Sequence, residues 1–115
     1  MDFKEYYKAP FKESSNGLYV IGDNGIKVFT ALTEKSREIA RRITSLLNGE
    51  EAPKFKKSEV NIVQNSLHIN HEFIMIRGWG RLIGTGGGFG LSTKEAAKIQ
   101  DEFVKWVIDT ITEDE

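Results

Sequence analysis

One order of elements occurs twice along this chain, and that recurrence limits the folds open to it. Leu18-Tyr19-Val20-Ile21 and Ile26-Lys27-Val28-Phe29 are β-rich runs separated by Gly22-Asp23-Asn24-Gly25, residues suited to positive φ and hence to a tight reversal. Thr33 then caps a helix in which Ile39, Ala40, Ile43, Leu46 and Leu47 recur at three- and four-residue spacing, and Asn48-Gly49 supplies the stop. From Phe73-Ile74-Met75-Ile76 the same order begins again: apolar strand, glycine-containing reversal, second strand, Leu-Ser cap, amphipathic helix. Each unit has one apolar face, so pairing the two sheets edge to edge under two helices buries both. The expected fold is α+β, an antiparallel sheet of about five strands with two amphipathic helices on one face, ββα followed by βββα. Identity between the halves is low. A diverged duplication and the chance recurrence of a common hairpin–helix unit both stay open.

The 115 residues suit a single domain. It divides into an N-terminal arm (1–16), the ββα unit (17–49), a polar connection containing Pro53 (50–58), the βββα unit (59–112) and an acidic tail (113–115). Within the second unit, strands are expected over Val60 to Gln64, Leu67 to Ile76 and Arg81 to Thr85, with reversals near Asn65-Ser66 and Gly78-Trp79-Gly80 and a break point at Asn70. Ser92 and Glu95 form a capping box for the last helix, with Leu91 and Ala96 as hydrophobic staple. Its apolar stripe runs through Ala96, Ile99, Phe103, Trp106, Val107 and Ile111, widened by Val104 and Ile108.

Charge and composition remove several functions. With 16 basic and 17 acidic residues the formal charge is −1, so no global field draws the chain to nucleic acid or an anionic membrane. There is no cysteine, which removes disulfides and thiolate chemistry and agrees with a reducing compartment. Met1-Asp2-Phe3-Lys4-Glu5-Tyr6-Tyr7 has no apolar leader core, and no apolar run approaches the roughly 18 residues of a membrane span. The expected location is the cytoplasm, with no membrane contact.

The best site candidate is the glycine-rich stretch running from Gly84 to Gly90 ahead of the last helix, where missing Cβ atoms let backbone N–H groups approach an anion or a partner. Its spacing fits neither G-x-G-x-x-G nor G-x-x-x-x-G-K-[ST]. What remains is generic anion capture by the amides of Gly86, Gly87, Gly88 and Phe89, the hydroxyls of Thr85, Ser92 and Thr93, and Lys94. The alternative is structural: glycines for a bulged edge, a close strand–helix crossing, or a loop ordered by a partner. Arg77-Gly78-Trp79-Gly80-Arg81 adds an aromatic between glycines, flanked by two guanidinium groups suited to a base or phosphate. Equally, Trp79 can fold into the core and leave both arginines solvated.

The remaining motifs argue against an enzyme. His68 and His71, three apart in an extended strand, point to opposite faces, and no third histidine or cysteine completes a zinc site, so neither metal nor cofactor is expected. G-x-S-x-G is absent and nothing places a histidine beside a hydroxyl. Lys54-Phe55-Lys56-Lys57 with Arg41, Arg42, Lys8 and Lys12 reads as either a basic surface or a mixed solubilising one.

Ala9-Pro10-Phe11 before Gly17-Leu18-Tyr19-Val20, Asp23-x-Gly25, Leu46-Leu47-Asn48-Gly49, Arg77-Gly78-Trp79-Gly80 with Gly84-Thr85-Gly86-Gly87-Gly88, and Ile99-Gln100-Asp101-Glu102-Phe103 together resemble small uncharacterised proteins encoded by prophages and mobile elements of gut Bacteroidetes. The resemblance implies an intracellular accessory role and carries over no catalytic or binding residue. The leading expectation is a non-enzymatic protein-interaction module, self-associating as a homodimer, with the glycine loop and Trp79 region as partner surface. The second is a binder of nucleic acid or a nucleotide-like anion through Arg77, Trp79, Arg81 and the loop. Trp79 buried in the core weakens both readings; Trp79 exposed beside Arg77 and Arg81 favours the anion binder; Trp79 buried against another copy favours association.

Overall fold

The computed structural model describes residues 2–83 and 90–114, the side chains of 80 and 81 excepted. Asp2 and Glu5 close a capping box on a one-turn helix, α1 (Phe3–Tyr6). Three strands follow, β1 (Lys12–Glu13), β2 (Tyr19–Ile21) and β3 (Lys27–Thr30), and then α2 (Glu34–Leu47), capped by Thr33. After β4 (Phe55–Lys56) and a 3-10 turn over Lys57–Glu59 come β5 (Val60–Val63), β6 (Ser66–Ile69) and β7 (Glu72–Ile76). The chain ends in α3 (Trp79–Ile83), α4 (Thr93–Ile111) and β8 (Thr112–Glu113).

Six strands make one antiparallel sheet in the order β1-β2-β3-β7-β6-β5. The two three-stranded halves meet at β3 and β7, where Phe29 faces Ile76 and Thr30 faces Met75. This palindromic order is the one that two β-β-β-α units about a two-fold axis would make. Asn70 and His71 both have positive φ, as the two central residues of a tight hairpin turn require, and they split the expected Leu67–Ile76 strand into β6 and β7. The sixth strand, β1, comes from the arm. Between Val20 and Ile21 the β2–β3 register shifts, and the resulting bulge leaves the consecutive residues Val28 and Phe29 both buried.

The expected strand over Arg81 to Thr85 is not formed in its described part: the chain is helical from Trp79 to Ile83. Gly78, at φ +104°, turns it off the end of β7, and Leu82 N–H then reaches back to Gly78 O at 3.3 Å. Leu82 is fully buried, with Trp79 packed on the same core. Tertiary burial overrides the strand-like appearance of a short apolar pair.

Val20, Phe29, Leu67, Ile74 and Ile76 share the buried face of the sheet, and α2 and α4 pack together on it. Phe103 of α4 is the hub: its ring stacks on Tyr7 at 3.9 Å and lies 5.8 Å from Phe29. The arm therefore belongs to the core, with Tyr6, Tyr7 and Phe11 buried, and Asn48 holds it through hydrogen bonds to both backbone groups of Phe11. The 50–58 connection also carries structure. Phe55 is fully buried, beneath the Arg42 guanidinium at 3.8 Å, and β4 pairs in parallel with β8. On the opposite sheet face Phe73 stays 56% exposed, with His68 edge-on to its ring at 4.1 Å.

Candidate functional site

The start of β3 and the end of β7 enclose a recess of about 550 Å³, lined by Gly25, Ile26, Lys27, Ile76, Arg77, Gly78 and Trp79. One wall is the first hairpin turn. Gly25 takes φ +81°, Asn24 Oδ1 accepts from Ile26 N–H at 3.2 Å, and Asn24 Nδ2 donates to Tyr6 O at 2.9 Å, tying the turn to α1. The other wall is the end of β7, held by Arg77 N–H donating to Val28 O at 2.8 Å.

Two buried phenols fix the backbone beyond that bond. Tyr6 OH donates to Gly78 O at 2.5 Å, and Tyr7 OH reaches Arg77 O at 3.5 Å. A Cβ at Gly78 would stand 3.1–3.2 Å from both rings, so glycine is required by close approach as well as by its positive φ. Burial pushes the Tyr7 phenol above its ordinary pKa, which keeps it a neutral donor. Arg77 and Trp79 therefore leave a rigid backbone rather than a loose loop.

Electrostatically the recess is one-sided. Lys27 and Arg77 are exposed, and neither forms an ion pair among the described residues. The Lys27 ammonium lies 4.0 Å above the Tyr19 ring, and no carboxylate is among the described lining residues. Trp79 is half-buried, packed on the core by one side and lining the recess by the other. Two cations beside an aromatic face suit an anion attached to a planar group.

The other expected site residues fall elsewhere. Thr85, Gly86, Gly87, Gly88 and Phe89 lie outside the described residues, as does the Arg81 side chain. Leu91 N–H donates to Leu82 O at 3.0 Å. Ser92 caps α4: its Oγ accepts from Glu95 N–H at 3.2 Å and donates to Glu95 Oε1 at 2.8 Å. The Glu95 carboxylate thus already takes the place an anion would hold there. Thr93 and Lys94 are exposed in the first turn and, with Ser92, are not among the described residues lining the recess.

Lys27, Tyr6 and Tyr7 escaped the sequence reading. The available signal was aromatic density in the arm, at Phe3, Tyr6, Tyr7 and Phe11, too high for a solvated tail. Three of the basic residues outside the recess are already engaged. Arg41 pairs with Glu13 at 2.7 Å, Lys57 pairs with Asp114 at 3.0 Å, and Arg42 caps the carbonyls of Pro53 and Lys54. Among the described residues no group of three His, Asp or Glu side chains could hold a metal, and no helix is long and apolar enough to cross a membrane. No family model, curated protein or solved structure matches the chain.

Proposed function

We propose that the chain is a non-catalytic binding module whose Lys27–Arg77–Trp79 recess takes a phosphate attached to a base, as in a nucleotide or single-stranded nucleic acid. The observation that carries this reading is Trp79, half-exposed beside Arg77 and across from Lys27, which forms no ion pair among the described residues. Arg77 and Lys27 hold phosphate oxygens while Trp79 stacks on the base, a contact worth about 1–3 kcal/mol. Calorimetry with inorganic phosphate, a nucleoside, a nucleoside monophosphate and a short oligothymidylate separates the sources. The monophosphate or the oligomer should bind at least tenfold more tightly than phosphate or nucleoside alone, and Arg77→Gln should remove that gain. Equal, salt-insensitive heats from all four would defeat the reading.

A second reading is self-association in a cytoplasmic homodimer. It is favoured by Val63, 48% exposed on the edge strand β5, and by Phe73, 56% exposed on the open sheet face at β7, since exposed apolar groups on an open edge and face invite association. Light scattering should then give a dimer mass that Phe73→Ser and Val63→Lys convert to monomer. A concentration-independent monomer mass for the wild type contradicts it.

A further inference from the structure

A second cavity, of about 200 Å³, lies between β2 and α2, on the side away from β7. Its walls combine the apolar Leu18, Val20, Ala31 and Ala40 with Tyr19 and the hydroxyl residues Thr44 and Ser45. Three charged groups stand at its margin, Glu13, Arg37 and Arg41. Two of them satisfy each other, because Arg41 donates Nε–H at 2.7 Å and Nη2–H at 3.2 Å to the two oxygens of Glu13. The third, Arg37, helps hold the Glu13 carboxyl below its ordinary range but is not hydrogen-bonded to it. Arg37 Nη2 donates to Leu32 O at 3.2 Å, but its Nε is buried and has no hydrogen-bond partner among the described residues.

A buried N–H without an acceptor is costly. A carboxylate supplies that acceptor, and its two oxygens match the guanidinium fork. The volume sets the rest of the ligand, since a cavity of roughly 150 Å³ holds a benzene ring. We infer that this cavity binds a small monocarboxylic acid, its carboxylate on Arg37 and a ring-sized or short alkyl body against Ala31 and Ala40. The inference is independent of the phosphate recess, whose residues it does not use.

Benzoate is a suitable probe, with benzyl alcohol as its uncharged counterpart and acetate as the carboxylate without a body. The readout is the alanine methyl spectrum of the full chain, in which Ala31 and Ala40 report on this cavity alone. Benzoate should shift both methyls saturably, with at least tenfold tighter binding than benzyl alcohol or acetate. Arg37→Gln should weaken benzoate at least tenfold, Ala40→Leu should block it by filling the space, and Glu13→Gln should strengthen it by removing a competing carboxylate. Arg77→Gln should leave the methyl shifts unchanged. Absence of saturable shifts, equal binding of benzyl alcohol, or full benzoate affinity in Arg37→Gln would each overturn the inference. The comparison of the three ligands on the wild type decides the matter even where a variant fails to fold.

Discussion

Gly78 shows how much of the recess depends on one residue without a side chain. Its φ of +104° strains any L side chain, and the 3.1–3.2 Å approach of the Tyr6 and Tyr7 rings means they must give way to a Cβ. Gly78→Ala should therefore lower stability by about 1–3 kcal/mol in urea titrations, more than Tyr6→Phe, which removes one hydrogen bond worth about 1 kcal/mol. If Gly78→Ala is neutral, the clamp on the Arg77 backbone is not what fixes the recess. Tyr7 gives a pH signature of the same contact. Its phenol is raised by burial, so the stability it lends is complete below the ordinary value of about 10 and is lost as pH rises past it, where the unfolded chain ionises first. The phenolate absorbance missing from Tyr7→Phe should accordingly appear in the wild type together with alkaline unfolding. Its appearance while the fold is intact would show an accessible hydroxyl.

At the scale of elements, whatever rests on local chemistry was legible before the structure. Thr33 and Ser92 cap α2 and α4 where their side chains allow, and the stripe from Ala96 to Ile111 is the buried face of α4. Ser92→Ala should cost about 1 kcal/mol, the usual worth of a cap, and Phe103→Ala about 3–5 kcal/mol, because that ring meets Tyr7, Phe11 and Phe29. A smaller loss at Phe103 than at Ser92 would deny the hub. What escaped was set by distant contacts. Leu82-Ile83 resembles a strand until burial against α4 and the turn at Gly78 make it helical. β1 and β4 are two residues each, too short to carry a period, and exist because β2 and β8 offer partners. Of the site, Arg77 and Trp79 were legible as an aromatic between glycines beside a cation. Lys27 was not, because only β3–β7 pairing brings it across from them.

For the whole molecule, the join at β3 and β7 links fold to proposed function. Two three-stranded halves meet in antiparallel register, and the recess forms at one end of that seam, with Lys27 from the first half and Arg77 and Trp79 from the second. The arm closes it from behind through Tyr6 and Tyr7. A binding module built this way requires both halves and the arm, so removing residues 1–8 should abolish ligand binding and destabilise the sheet together. The most direct test of the central claim uses the two tryptophans of the chain. With Trp106→Phe leaving Trp79 as the reporter, a short oligothymidylate should quench Trp79 fluorescence saturably. The logarithm of affinity should fall with that of salt at a slope of about −1.4 for two phosphates, and by about half that after Lys27→Gln or Arg77→Gln. Unchanged Trp79 emission at saturating oligomer in low salt, with the fold intact, would contradict the account.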